Sequence, residues 1–365
     1  MGILQPIWDG TFVYREPVCF SADKDGRPTG GTLLYQPEEI LSVTSFDGSV
    51  FYQPVRDYTA NGRQLVRTEA SRIPYLERSV YCKPFTGVPE TAWVRLSGGK
   101  AYMEVVSDVY RWQTLVTYTH RDKWAGFQPK TCGESLPRSM EKLRAGGDFH
   151  LTLYGDSITA GWEASGCNER AIDMVTLGEY HVSLWHAPYQ PAWAELVTNA
   201  LQARYPQSNV IKTNRAAGGS TVQWGVEHAA ELVPPCKPDL IMLGFGMNSM
   251  QESAEDYRRA ILSIIRTIRK ECHDCEFVLV SPMIPNPEIK GFQNNQLPAQ
   301  QGVLYQIAAE LEGVCIAPVH SVFREMTARG KHYLELTGNC INHPNDFSVR
   351  VYAQTVLRTL GVDGN

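Results

Sequence analysis

Residues 151–166 read LTLYGDSITAGWEASG. A short apolar run stops at Gly155-Asp156-Ser157, and small residues follow. A run of that length bounded by glycine suits a strand buried on both faces. In an open α/β sheet, the carboxyl end of such a strand faces the crevice where these sheets bind their ligands. Ser157 would then present its hydroxyl to that crevice. The surrounding sequence decides whether a sheet of this kind is there.

Downstream of Gly147, brief apolar runs alternate with longer stretches of helical spacing. The runs are HLTLYG, NVIKTN, DLIMLGFG, EFVLVS and GVCIAP. In SAEDYRRAILSIIRTIRK, Tyr257, Ile261, Ile264, Ile265 and Ile268 recur at three- and four-residue intervals, which places them on one helix face. Ser253 stands ahead as an N-cap, with acids in the first turn. LPAQQGVLYQIAAELE and DFSVRVYAQTVLRTL read as two further helices. The alternation predicts a parallel, doubly wound α/β sheet of about five strands.

Residues 1–125 have a different rhythm. GTLLYQ, ILSVTSF, SVFYQPV, QLVRTEA, AYMEVVS and WQTLVTYTH are short and rich in β-branched and aromatic residues. Asp47-Gly48 and Asn61-Gly62 suit tight hairpin turns. This spacing predicts a jelly-roll-like β-sandwich domain over 1–125. Residues 126–147 carry Pro, Gly and charges around a short helical piece, PRSMEKLRA, and read as a linker to a second domain at 148–365.

The 365 residues are 43% hydrophobic and 20% charged, with a formal net charge of -5. There is no basic excess to attract a phosphate backbone, so nucleic acid is not an expected partner. No apolar run approaches the ~20 residues of a membrane-spanning helix, and no membrane association is expected. The start, MGILQPIWDGTFVYREP, shows neither the basic nor the continuous apolar segment of an export signal. Nine scattered cysteines then suggest a reducing cytoplasm, with secretion left open for a chain trimmed at its start. Cys272 and Cys275 have CxxC spacing, but a closed zinc site needs four ligands, so they read as free thiols at a turn.

Four polar residues follow the expected strands in order. Ser157 comes after the first, Gly219 (NRAAGGSTVQWG) after the second and Asn248 (GFGMNSM) after the third. His343 (GNCINHPND) precedes the last helix. A serine hydroxyl is a poor nucleophile until a base accepts its proton, and histidine titrates in the right range. A tetrahedral oxyanion needs converging donors, for which the N–H groups of Ser157 and Gly219 and the Asn248 carboxamide are candidates. Singly, each residue also suits a plain turn or a helix cap. Jointly, they point to serine-based acyl transfer without metal or organic cofactor.

In this arrangement residues 148–360 resemble the SGNH, or GDSL-type, hydrolases, whose sheet is flavodoxin-like. The resemblance implies Ser157 as nucleophile, His343 as base, and Ser157, Gly219 and Asn248 as the oxyanion hole. It also implies an aspartate three residues before the histidine, where this chain has Cys340. A thiol cannot do a carboxylate's electrostatic work on an imidazolium. The expected substitute is a backbone carbonyl near residues 339–341, leaving a Ser157–His343 dyad. Asp346, as a third member, and the more remote Glu335 are the alternatives.

The substrate is addressed by a long connection, residues 162–190, since long loops beside a ligand crevice are often functional. Trp162, Trp185 and Tyr189 are candidate walls for a sugar ring, with His181, His186 and Arg170 as polar contacts; packing of the loop is the competing role. SGNH hydrolases with an N-terminal β-sandwich resemble esterases that remove acetyl groups from plant polysaccharides. The resemblance therefore implies a carbohydrate ester as partner, in acetylated xylo- or other oligosaccharides. A short-chain lipase or thioesterase, and a non-catalytic carbohydrate-binding protein on a degenerate scaffold, are the other readings. The first domain is left with three roles: sugar binding, completing the cleft, or homo-oligomerisation.

Overall fold

Five brief apolar runs form one parallel sheet in the computed structural model, which describes residues 3–87, 93–97, 99, 101–104 and 109–362. Its strands lie in the order Ser208–Asn214, Gly147–Gly155, Leu240–Gly244, Glu276–Val280 and Val314–Ala317. Every neighbouring pair is parallel. The chain leaves Gly147–Gly155, pairs on one side of it, then crosses to pair on the other. That reversal places the topological switch point beside the first strand, and the crevice of such sheets opens there at the carboxyl ends.

Alternate residues of each strand serve opposite faces. Leu153, Met242, Val278 and Val280 belong to a buried cluster with Trp193, Val197, Tyr352 and Val356. Tyr154, Ile241, Leu243, Phe277 and Leu279 belong to a second cluster with the helices Val222–Leu232, Ala254–Arg269 and Leu297–Glu310. Tyr257, Ile261, Ile264, Ile265 and Ile268 are all buried, as their spacing predicts. Each isoleucine so buried contributes ~1.5–3 kcal/mol relative to exposure. Ser253 caps this helix by accepting from the Asp256 N–H, and Asn345 caps Asp346–Leu360 by accepting from the Ser348 N–H.

The N-terminal part is strand-rich. Phe12–Val18, Thr114–His120 and Pro37–Ser45 form an antiparallel sheet in that order. Cys82–Pro84, Ala101–Glu104 and Trp93–Arg95 form another, and Phe20–Ala22 sits between Pro28–Thr29 and Tyr75–Leu76. Asn61-Gly62 turns the hairpin of Tyr58–Asn61 and Gln64–Arg67. GTLLYQ and SVFYQPV make only isolated bridges, at Thr32 in the first and at Phe51 and Pro54 in the second. Gly30 and Gly31, at φ +82° and +83°, turn the chain before the first can extend, and Pro54 removes a donor from the second. Residues 105–107, the end of the run AYMEVVS, lie outside the described residues.

One buried cluster joins the two parts: Trp8, Tyr35, Val116 and Tyr118 share it with Phe149, Trp193, Phe323 and Tyr352. Beside it lies a fully buried ionic centre. The Lys331 ammonium touches Glu16 at 3.0 Å and Glu335 at 3.3 Å, and donates to the carbonyls of Pro17 and Thr32. Burial alone would lower its pKa, but the two carboxylates outweigh that and hold it above the usual lysine range.

Candidate active site

The first strand ends under tight constraint. A Cβ on Gly155 would lie 2.2 Å from the Gly244 carbonyl and 2.4 Å from Thr159 Oγ1, so only glycine lets the strands close here. The Asp156 N–H and Thr159 hydroxyl both donate to Gly244 O, and the Trp193 indole donates to Ile158 O. These bonds hold the Asp156–Thr159 turn at the switch point. Asp156 accepts from the Ile158 N–H at 3.0 Å, and burial pushes its carboxyl up to about 7 against the pull of backbone N–H groups.

Ser157 Oγ lies 2.7 Å from His343 Nε2, within reach for proton transfer. Burial pushes the His343 imidazole down to about 4. Its other nitrogen, Nδ1, faces a side chain that sequence reasoning passed over: Asn339 Nδ2, at 2.5 Å. Asn339 Oδ1 accepts from three N–H groups, those of Ile341 and Asn342 at 3.0 Å and of His343 at 3.1 Å. The asparagine therefore folds its own loop and reaches the imidazole with its amide.

The expected substitutes for the missing aspartate make other contacts. The Cys340 carbonyl accepts from Asn286 Nδ2 at 2.8 Å, while Nδ1 faces the Asn339 amide. Asp346, the candidate third member, accepts from the Ser165 N–H and hydroxyl at 2.9 and 2.7 Å instead. Glu335 is committed to Lys331 and to the N–H groups of Cys19, Gly31 and His332. Cys340 packs into an apolar cluster with Cys19, Tyr81, Met103 and Leu334. The one hint in the sequence is the asparagine itself, a residue that often caps tight turns with its side chain.

Gly219 adopts φ +77°, the left-handed region that favours glycine. Asn248 Nδ2 donates to the carbonyl of the next residue, Ser220, at 3.0 Å, which leaves its second amide proton for another acceptor. Among the described residues, neither the Ser157 nor the Gly219 N–H has a protein acceptor. Ser249 serves the scaffold, its Oγ accepting from the Val222 N–H at 2.8 Å.

The long connection holds an unforeseen hairpin, Asn168–Ile172 with Glu179–Ser183. Trp162 comes to the site, its ring centroid 5.7 Å from that of His343 and its edge over Gly218 beside Tyr180. Met174 lies over Gly219, 3.6 Å from where a Cβ would stand. Trp185 and Tyr189 form a separate pair, 61% and 50% exposed, with centroids 5.1 Å apart. Of the expected polar contacts, Arg170 pairs with Glu179 and His186 stacks on Tyr110. Among the described residues no cluster of His, Cys, Asp or Glu is arranged to hold a metal ion, and no helix is long and apolar enough to cross a membrane.

No curated protein matches this chain. Among solved structures, a two-domain esterase active on acetylated mannans, co-crystallised with mannopentaose, is 20% identical, with TM-score 0.47 over 62% of this chain and 53% of that one. The chain thus spans about half the length of that esterase. Axe2, an acetylxylan esterase from Geobacillus stearothermophilus, is 20% identical, with TM-score 0.46 over 60% and 96%. LAE5, an α/β hydrolase from the metagenome of Lake Arreo, Spain, is 20% identical, with TM-score 0.46 over 61% and 100%. The model of the GDSL-like lipase/acylhydrolase family matches residues 153–348, more than half of the chain and the stretch that carries Ser157, Gly219, Asn248 and His343. With that match over a parallel sheet whose first strand ends in Gly-Asp-Ser, the chain belongs to the GDSL-like lipase/acylhydrolase family.

Proposed function

We propose that this acyl hydrolase is a serine esterase that removes acetyl or similarly short acyl groups from carbohydrate. The observation that carries the reading is the 2.7 Å contact between Ser157 Oγ and His343 Nε2, beside two N–H groups that no acceptor among the described residues takes. Ser157 Oγ attacks the ester carbonyl, and its proton passes to His343 Nε2 and on to the leaving alcohol oxygen. The N–H groups of Ser157 and Gly219 and the second amide proton of Asn248 receive the oxyanion. Water then attacks the acyl-serine with His343 as base, which releases the carboxylate and restores the serine.

Crowding favours a small acyl group, since Trp162 and Tyr180 cover Gly218 and Met174 covers Gly219. The exposed Trp185–Tyr189 pair offers flat apolar faces of the kind a sugar ring stacks on. On this reading residues 1–125 and 148–365 are two domains joined by 126–147. A second reading, sugar binding without turnover, is favoured by one observation: among the described residues no carboxylate reaches His343 Nδ1.

The test is hydrolysis of nitrophenyl acetate, butyrate and octanoate by the wild type and Ser157→Ala. Serine-dependent turnover that falls with chain length supports the short-acyl esterase, and turnover that rises with it supports a lipase. Equal rates for the two proteins overturn Ser157 as nucleophile. Sugar binding with no serine-dependent turnover supports the second reading.

A further inference from the structure

Asn339 faces His343 in the opposite sense to a triad carboxylate. Three backbone N–H groups converge on its Oδ1. Reversing the amide would set the NH2 group against those three donors, so the orientation is decided by the loop itself. Nδ2 can only donate, and it lies 2.5 Å from His343 Nδ1. Nδ1 must then be the nitrogen with the lone pair, and the neutral ring carries its proton on Nε2. That proton points along the 2.7 Å contact to Ser157 Oγ, where a general base needs a lone pair.

We propose that Asn339 is the positioning residue of His343 and holds it in the tautomer protonated at Nε2, so that the resting pair must be switched before Ser157 can be deprotonated. The inference rests on the reading of Ser157 and His343 as the reacting pair. Switching moves no net charge: Nε2 gives up its proton to water and Nδ1 gains one, directed at the Asn339 amide. When Ser157 then passes its proton to Nε2, the imidazolium carries an Nδ1–H that has no acceptor. Asn339 thus both orients the ring and restrains it, and the carboxylate family pattern is replaced by a brake.

The groups around the ring agree. Ser157 and Trp162 face it from the first strand's loop, and Asn339 from its own. Asp156 adjoins Ser157, and Glu163 packs on Gly338; burial pushes each carboxyl up to about 7. Neither shifts His343, which burial alone pushes down to about 4.

Asn339→Asp tests the proposal. One carboxylate oxygen keeps the three N–H groups, and the other replaces Nδ2 as an acceptor for Nδ1–H. In a serine-protease triad the reverse change lowers kcat ~10⁴-fold through the wrong tautomer, so a rise of ~10-fold or more is expected here. The acid limb of kcat/KM should move up from about pH 4, because the carboxylate favours the protonated ring. Ring ¹⁵N NMR, with the His343 signal identified by its loss in His343→Gln, should show Nε2–H in the wild type and Nδ1–H in Asn339→Asp. A wild-type ring protonated at Nδ1, or an Asn339→Asp enzyme no faster and with an unmoved acid limb, overturns the proposal. Turnover that survives Ser157→Ala would instead remove the reading beneath it, while the wild-type NMR tautomer still reports on Asn339 directly.

Discussion

Lys331→Met should unfold this protein more readily than any surface change. The methionine keeps the length of the side chain but removes the ammonium that pairs with both Glu16 and Glu335 at a fully buried centre. It also strips one donor from the Pro17 and Thr32 carbonyls. Removing one partner of a buried ion pair costs about 3–5 kcal/mol, since the remaining charge is left desolvated. With an unfolding entropy of roughly 2.1 cal/mol/K per residue, a cooperative chain of this length would lose ~4–7 °C in Tm. Urea unfolding at pH 7 and pH 5 reads the loss. The gap to wild type should narrow at the lower pH, because a proton can stand in for the missing cation. Glu16→Gln added to Lys331→Met should recover part of the loss, giving a double variant milder than the sum of the singles. A loss under about 1 kcal/mol, or strict additivity of the two changes, would refute the ionic account of this centre.

On the proposed reading Asn248 is one of three oxyanion donors, so Asn248→Ala should lower kcat by ~10²–10³ with little change in KM, read with nitrophenyl acetate. Cys340→Asp should lower stability by a few kcal/mol and leave kcat no higher, because the carboxylate would enter the apolar cluster of Tyr81, Met103 and Leu334 rather than meet His343. Gln113→Leu should lower kcat more than it changes KM, with Tm measured in parallel, because the Gln113 amide holds the loop that carries His343.

The catalytic half was legible because its information is local. The five apolar runs and the spaced isoleucines of Ala254–Arg269 each declare a period and a face, and DFSVRVYAQTVLRTL matches the helix Asp346–Leu360 end to end. Ser157 was legible for the same reason, being the residue that a buried strand presents at its end. Asp346 misled because an acid in a first helical turn looks the same whether it serves a histidine or a distant Ser165. Only the fold brings Ser165 to it across 181 residues. Asn339 was missed because its role depends on three N–H groups converging from a loop whose path the sequence does not spell out. The N-terminal strands suffered from short length: GTLLYQ has strand composition, yet it pairs only through an isolated bridge at Thr32, and Leu33, Leu34 and Tyr35 fill the core from outside any strand.

The strand-rich part also holds the loop of His343. The segment from Lys331 to Asn345 leads to and contains His343, and its anchors come mostly from residues before 125. Glu335 is held by the N–H groups of Cys19 and Gly31, and Lys331 by Glu16, Pro17 and Thr32. Gln113 donates to the carbonyls of Leu334 and Thr337, at 2.7 and 2.8 Å, and accepts from Asn345 Nδ2. The turn that carries Ser157, by contrast, is held to the sheet by Asp156 and Thr159, which both donate to the Gly244 carbonyl. The two members of the pair are therefore positioned by different parts of the chain, and the 2.7 Å between them depends on how those parts are packed. A misplacement of ~1 Å at a reacting pair can cost ~10²-fold in rate. Of the three roles open to the strand-rich part, completing the catalytic cleft is the one that needs no ligand or second copy to be useful.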